Sequence, residues 1–370
     1  MKAQKIMDSY KYSVELLSPL LICSGTELTA HEYLISNDVF YRLNLDSFIA
    51  SLSSEKRIEL EKALDSNDII RLRKYIKENI RHLEHSFYSS PVTKDFLAEY
   101  FGKEDRPYNQ LLIMECIRDS VKFQPYLPGS SLKGSLRTAV LDSIREAQGI
   151  VSWRFPEREL EESLLEFQEK NKWGEWKKIM GKDPFRLISI TDGHMVSGTS
   201  LIAEVFNSGF DRSGIFRFHG MQMFAEVLSG GEEGREAARF EGQMRFQTAL
   251  SQSQIKRENR NYFNTIIPID LIIKNCNTFY KAEMEREHSK FYEKAGGNIA
   301  AYSESLLAEA QRINSQNSCL VRIGRYCGVE SHTLNKIRNP KTKTGKWGNT
   351  RNLCDKRYPM GWAKLTLHGE

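Results

Sequence analysis

The residues best suited to holding an anion stand together in Leu127-Pro-Gly-Ser-Ser-Leu-Lys-Gly-Ser-Leu-Arg-Thr138. Pro128 and Gly129 break what precedes them, and Ser130 or Ser131 is placed to N-cap a helix. Leu132, Leu136, Val140 and Ile144 then recur every fourth residue as one apolar helix face. Lys133 and Arg137 share a neighbouring face. A helix N-terminus presents unpaired N–H groups and partial positive charge, so a phosphate there would meet amides, hydroxyls and Lys133 together. The Gly129 to Gly134 spacing is that of a nucleotide-binding P-loop. That motif, however, needs Lys and then Ser or Thr directly after the second glycine, where this chain has Ser135 and Leu136. Nucleotide hydrolysis is set aside, and the phosphate must belong to something else. A capped helix with ordinary surface cations is the plain alternative.

Charge distribution indicates what that something is. The net charge is +5, but 322–357 holds ten Lys or Arg against Glu330 and Asp355, a local +8 that leaves −3 for the remainder. A basic segment on a slightly acidic body suits a polyanion, whose binding is driven by counterion release. The segment and the residues just after it are laced with Tyr326, His332, Trp347 and Trp362 and with Gly324, Gly328, Gly345, Gly348 and Gly361. Rings beside cations are what single-stranded nucleic acid uses, stacking being worth roughly 1–3 kcal/mol per base.

The elements that must position these groups follow from periodicity. An opening strand at 10–22 is followed by a hairpin, 33–36 and 39–43, over Asn37-Asp38. Residues 48–85 have a charged, helical period; 111–123 is strand-like; the helix from Ser130 follows; 151–181 is a Trp- and Glu-rich insertion; and 185–193 reads as a strand. Strands at 200–206, 215–218, 224–228 and 240–250 suggest a second sheet. Residues 279–314 are helical with a break at Gly296-Gly297, then 319–324 leads into the basic glycine-rich loop and 362–368 closes as a strand. The expected fold is α+β, with two tandem ferredoxin-like, RRM-like domains at 1–195 and 196–370 and helical insertions at about 48–85 and 151–181.

Composition removes other classes. With 40% apolar and 11% aromatic residues the chain is globular rather than disordered. No apolar run of about 18 residues and no signal-peptide core occur, so no membrane role and a cytoplasmic location are expected. The six cysteines include no C-x-x-C pair, which signals neither a zinc ribbon nor a dithiol redox site. His82 and His85 share a helix face without a third ligand. No metal or cofactor is expected.

Four elements in order carry a resemblance: Val14-Glu-Leu-Leu-Ser-Pro-Leu-Leu-Ile-Cys-Ser-Gly, the Leu127 element, Asp183-Pro-Phe-Arg-Leu-Ile-Ser-Ile-Thr-Asp, and Leu320-Val-Arg-Ile-Gly-Arg-Tyr-Cys-Gly-Val-Glu-Ser-His-Thr. Together they resemble the RAMP superfamily of CRISPR proteins, and the length, the Asp183 strand and the ending Pro359-Met-Gly-Trp-Ala-Lys look most like the fifth Csm subunit of type III-A effector complexes. Arg325, Tyr326 and Cys327 depart from the family, which commonly has small residues or glycine there. The resemblance implies a subunit that binds CRISPR RNA (crRNA), caps the filament of other Csm backbone subunits near the guide's 3′ end, and assists its maturation in antiviral defence; the recruitment of a host nuclease as a further partner is left open by the sequence. The RNA contacts expected are Gly129, Ser130, Ser131, Lys133, Gly134 and Arg137 from the first domain. From the second they are Arg322, Gly324, Arg325, Gly328, His332, Lys336 and Arg338. Contacts to the backbone would serve any guide sequence.

Metal-free RNA cleavage would need a general base beside a 2′-hydroxyl and an acid beside the leaving oxygen. His31 is the candidate, because guide-processing relatives place a catalytic histidine in that region; His194 is a weaker one. The backbone subunit that cleaves targets uses an aspartate soon after its first strand, whereas residues 24–32 here hold Glu27 and Glu32 but no Asp. A binding subunit without its own active site is therefore expected. The alternatives are an endoribonuclease using His31 and a protein-only scaffold whose basic segment meets acidic partners.

Overall fold

The computed structural model describes residues 7–103, 111–152, 157–247, 266–337 and 350–369. Alternation builds the first strand, β1 (Met7–Leu16): Tyr12, Val14 and Leu16 are buried while Lys11 and Glu15 face solvent. After β2 (Cys23–Leu28), the hairpin of β3 (Tyr33–Ser36) and β4 (Val39–Leu43) turns on Asn37 and Asp38 at φ 49° and 60°, the left-handed pair that a two-residue hairpin turn requires. Helices α1 (Leu45–Ser51), α2 (Ser54–Asp65) and α3 (Ile69–Asn79) follow, N-capped by the side chains of Asn44, Ser53 and Asp68. Then come β5 (Ser86–Pro91), α4 (Lys94–Phe101), β6 (Ile113–Cys116), β7 (Tyr126–Leu127) and α5 (Gly129–Ala147). The second insertion is α6 (Glu157–Leu164) with the hairpin β8 (Gln168–Lys170) and β9 (Trp176–Lys178). Strands β10 (Ile188–Ile190), β11 (Gly193–Ser197), β12 (Ser200–Phe210), β13 (Phe216–Leu228) and β14 (Arg239–Gln247) lead to α7 (Ile269–Glu287). A π-helical turn at His288–Tyr292 joins α7 to α8 (Glu293–Ala295), and after the break at Gly296 come α9 (Gly297–Arg312), β15 (Ser318–Arg322), β16 (Thr350–Cys354), β17 (Tyr358–Pro359) and β18 (Trp362–Gly369).

One sheet runs β15-β18-β1-β14-β11-β7, with β10 also on β14, and all its pairings are antiparallel. Within it, β1, α5, β11, β14, α7 and β18 follow strand–helix–strand–strand–helix–strand, with spatial order β18-β1-β14-β11. Helices α5 and α7 cover one face, where Leu132, Leu136, Val140, Ile272, Cys276 and Tyr280 share a core with Tyr12, Val14, Phe240, Met244 and Leu365. The other face is polar: the registered positions Ser9, Lys11, Ser13 and Glu15 of β1 meet Arg245, Gln243, Glu241 and Arg239 of β14 and, for the last three, His368, Thr366 and Lys364 of β18. A second sheet runs β17-β16-β12-β13-β6-β2, and β3-β4-β5 form a third.

The sheets do not divide the chain at residue 195. β1 is bonded to β14 and β18, and β2 and β6 sit in the same sheet as β12, β13 and β16, so each large sheet takes strands from both sides of that position. Local pattern registers the order of strands and helices, but a partner more than two hundred residues away leaves no local trace. Two expected strands are also shorter than their apolar runs: 111–123 contributes only β6, and 185–193 opens with a 3-10 turn, Pro184–Leu187, before β10. All six cysteines are free thiols.

Candidate nucleic-acid interface

Helix α5 begins at Gly129 with Pro128 as N-cap, and neither serine caps it. The cap is remote: Asp192, just before β11, accepts the Gly129 N–H at 2.8 Å. A Cβ on residue 129 would stand 2.4 Å from the Ile190 carbonyl oxygen and 2.7 Å from that of Thr191, so glycine lets the helix end abut β10. A carboxylate thus already occupies the helix pole where a phosphate was expected, and its charge opposes a second anion there.

The two cations expected to bind RNA from α5 are committed inside the protein. Lys133 donates from Nζ to the Ile188 carbonyl at 2.7 Å, and partial burial lowers its pKa. Arg137 holds both oxygens of Asp183 from Nη1, at 3.0 and 2.9 Å, lies 3.4 Å from Glu161, and sits over the rings of Phe185 and Phe167. The Asp183-Pro-Phe-Arg element is the counterpart of this helix: the Asp183 carboxylate also N-caps its own 3-10 turn.

The serines instead line a cleft. Ser130, Ser131, Gly134 and Ser135 of α5 face Ile22, Cys23 and the segment of Arg322, Ile323, Gly324, Arg325 and His332 around about 380 Å³. The glycine-rich loop is brought there by pairing, as the Arg325 N–H donates to the Leu21 carbonyl at 2.8 Å. Gly324 has φ +86°, and a Cβ would lie 2.4 Å from Leu20 Cδ1 and 2.6 Å from the Leu21 oxygen. What approaches Gly324 is therefore the protein itself, the Leu20 side chain and the Leu21 backbone. Gly134 differs, for a Cβ there would meet nothing within 4 Å.

Arg322 reaches this cleft only from beneath. It is 2% exposed, with Nη1 at 2.7 Å from Glu287, Nε donating to the Met360 carbonyl at 3.1 Å, and its guanidinium 4.4 Å from the Trp362 ring centroid. Glu287 also holds Arg351 at 2.5 Å, and these two guanidiniums keep its carboxyl below the usual range. Arg322 and Trp362 are therefore core, against the expectation that both meet RNA. Arg325 and His332 are exposed. Partial desolvation and the Arg322 charge hold His332 below the ordinary imidazole range, so at pH 7 it is a neutral hydrogen-bonding group. Gly328, at φ +76°, has the Glu330 and Glu287 carboxylates behind it, and Lys336 is exposed but does not line the cleft. Arg338 and Trp347 lie outside the described residues. Sequence reasoning missed Ile22, Cys23, Ser135 and Ile323 as lining residues; only the proximity of Cys23 to the end of β1 hinted at it.

His31 lies elsewhere, in a pocket of about 300 Å³ with Tyr33, Arg73, Lys74 and Lys77 that shares no lining residue with the cleft. Its ring nitrogens are 3.2 Å from the Thr29 hydroxyl, and burial lowers its pKa. His82 packs against Tyr41 at 4.5 Å and His85 bonds the Ser47 hydroxyl at 2.9 Å.

A model described as the RAMP superfamily matches residues 13–324. The chain is 27% identical over 144 residues to the CRISPR system Cms protein Csm5 of Streptococcus thermophilus; the match covers 36% of this chain and 38% of that protein, so it spans well under half the relative's length. Among solved structures, a chain of a Csm-crRNA-target RNA ternary complex of a type III-A CRISPR-Cas system superposes with TM-score 0.69 at 20% identity, over 97% of this chain and all of that one. Csm5 of T. onnurineus superposes with TM-score 0.62 at 18% identity, over 96% and 99%. The fold is thus a mixed α+β fold shared with these proteins.

Proposed function

The chain belongs to the RAMP superfamily, and we propose that it is an RNA-binding subunit of a type III-A CRISPR Csm effector complex. In that role it holds crRNA near the 3′ end beside the backbone subunits and assists crRNA maturation. The observation that carries the reading is the cleft itself: two segments nearly two hundred residues apart in sequence, Ser130 to Gly134 and Gly324 to His332, meet around one groove of hydroxyls, an exposed guanidinium and a neutral imidazole. Such groups suit phosphate and ribose oxygens and read no base. In fold terms, the strand order of the first sheet supports one ferredoxin-like unit, and we read the second sheet as the rearranged counterpart of another. Filter binding across a salt series tests the function. Arg325→Ala is expected to weaken binding equally for unrelated RNA sequences and to flatten the log–log salt slope by about 0.7, one contact to a single strand. A wild-type slope near zero would sink the reading.

A further inference from the structure

The insertion between α5 and β10 ends in a small hairpin whose two tryptophans are outside the protein. Trp173 is 82% exposed at the tip and Trp176 63% exposed at the start of β9. Their exposure is built. Asn171 Oδ1 accepts the N–H groups of Trp173 at 2.9 Å and Glu175 at 3.0 Å, the Asn171 N–H donates to the Glu175 carbonyl at 2.8 Å, and the Ile179 N–H donates to the Phe167 carbonyl at 2.7 Å to close the stem. The base is locked on α5: Phe167, before β8, and Phe185, after β9, both pack under the guanidinium of Arg137, which Asp183 holds.

Charge on the hairpin is as ordered as its backbone. Lys178 and Lys182 pair with Glu162 and Glu169. Lys170, Lys172 and Lys177 are exposed and have no carboxylate partner among the described residues, and Lys170 Nζ lies 5.2 Å from the Trp176 ring centroid. Over 168–178 there are four lysines (170, 172, 177, 178) against Glu169 and Glu175, a balance of +2. Exposed indoles among ammonium groups match stacked bases and their phosphates. The core of a protein interface is instead depleted in lysine.

We propose that this hairpin is a stacking arm for unpaired bases of the single-stranded RNA whose phosphates lie in the cleft. The proposal rests on the RNA-binding reading above. Arg137, which anchors the base of the arm, lies seven residues along α5 from Ser130, about 10 Å of helix, so the arm springs from the same helix that walls the cleft.

Fluorescence anisotropy with two oligouridylates tests it, one of about six nucleotides that fills only the cleft and one of about twenty that reaches the arm. Trp173→Ala with Trp176→Ala is expected to weaken the longer RNA by about tenfold or more while leaving the shorter unchanged. The pair changed to Tyr should restore binding, and the pair changed to Leu should not. An Ala pair that binds the longer RNA like wild type overturns the arm. So does rescue by Leu as good as by Tyr, which would mark an apolar protein contact. Arg325→Ala separates the two readings: if it weakens both RNAs while the Ala pair is neutral, only the arm fails, and if it weakens neither, the cleft reading fails as well. Both tryptophans are exposed, so the thermal midpoint should stay within about 1 °C in every variant.

Discussion

The same added methyl group should have opposite effects at the two glycines that open α5. At Gly129 a Cβ would sit 2.4 Å and 2.7 Å from the carbonyl oxygens of Ile190 and Thr191, and both are backbone atoms that no side-chain rotation can remove. Either α5 withdraws from β10 or the Asp192 cap lengthens. Overpacking of this kind costs about 1–3 kcal/mol. At Gly134 nothing lies within 4 Å of a Cβ, and the residue is inside a helix, where alanine is favoured by about 0.8–1 kcal/mol. The two alanine variants should therefore differ by about 2–4 kcal/mol in denaturant-derived stability. Gly134→Ala should melt about 1–3 °C above wild type, the shift being small because the chain is long.

Binding should follow the reverse order. Gly134→Ala puts its methyl on the wall of the cleft beside Ser130 and Ser131, where the strand's backbone is proposed to pass, and should weaken RNA about three- to tenfold despite the gain in stability. Gly129→Ala adds no atom to the cleft wall and should bind in proportion to its folded fraction. Denaturation and anisotropy on the same preparations check both. A Gly134→Ala protein that is more stable and binds RNA like wild type refutes the approach of RNA at this point, and one that is less stable refutes the geometry from which the prediction was made.

Arg137→Ala should cost about 2–3 kcal/mol, because Asp183, with a side chain 11% exposed, is left unpaired, yet it should not alter the salt slope of RNA binding. A flattened slope would mean that Arg137 contacts phosphate after all. Asp355 is pushed up to about 6, chiefly by burial and against hydrogen bonds from the Glu204 N–H and the Thr93 hydroxyl. A carboxyl raised on folding removes stability as pH climbs from its ordinary value of about 3.9 to the folded one, so Asp355→Asn should be about 1–2 kcal/mol more stable than wild type at pH 7. That gain should shrink toward pH 4, and urea midpoints at both ends of the range would contradict the assignment if it were constant. Glu287 has the opposite sign, since Arg322 and Arg351 hold it low. Its contribution is present above the ordinary carboxylate value of about 4.3 and is lost as pH falls below it, and Glu287→Gln should cost about 3–5 kcal/mol at neutral pH. A loss under about 1 kcal/mol would deny this ion cluster its structural role.

What could be read from the sequence was what dihedral preference and period decide locally. Asn37-Asp38 required a turn with positive φ, the four-residue recurrence of Leu132, Leu136 and Val140 required a helix face, and Gly296-Gly297 broke a helix where φ turns positive. Hidden were the partners of charges. Arg322 and Arg325 count equally in a basic segment, but the first ends a buried strand against Glu287 while the second follows the turn at Gly324 into solvent. Arg137 and Asp183 are 46 residues apart and Gly129 and Asp192 are 63 apart, with no local rule to couple them. The first pair takes a cation out of the expected site, and the second sets a carboxylate at its helix pole.

This removal constrains how RNA can be bound. With Lys133, Arg137 and Arg322 held internally and His332 neutral, Arg325 is the one exposed guanidinium among the described residues lining the cleft, so the phosphate contribution there is small and indifferent to sequence. The polar face of the first sheet lacks the central ring pair of an RRM, and the ring in register on it is Tyr126, on the edge strand β7. The registered positions of that face on β1, β14 and β18 place no Phe, Tyr or Trp there. On the proposed reading, a guide strand with so few phosphate contacts needs further contact that any base can make, and an aromatic surface supplies that because every base has a π-face. Trp173 and Trp176 are the described tryptophans that solvent reaches, and the hairpin that Arg137 anchors holds both of them outside the cleft, which is the arrangement the proposed stacking arm requires.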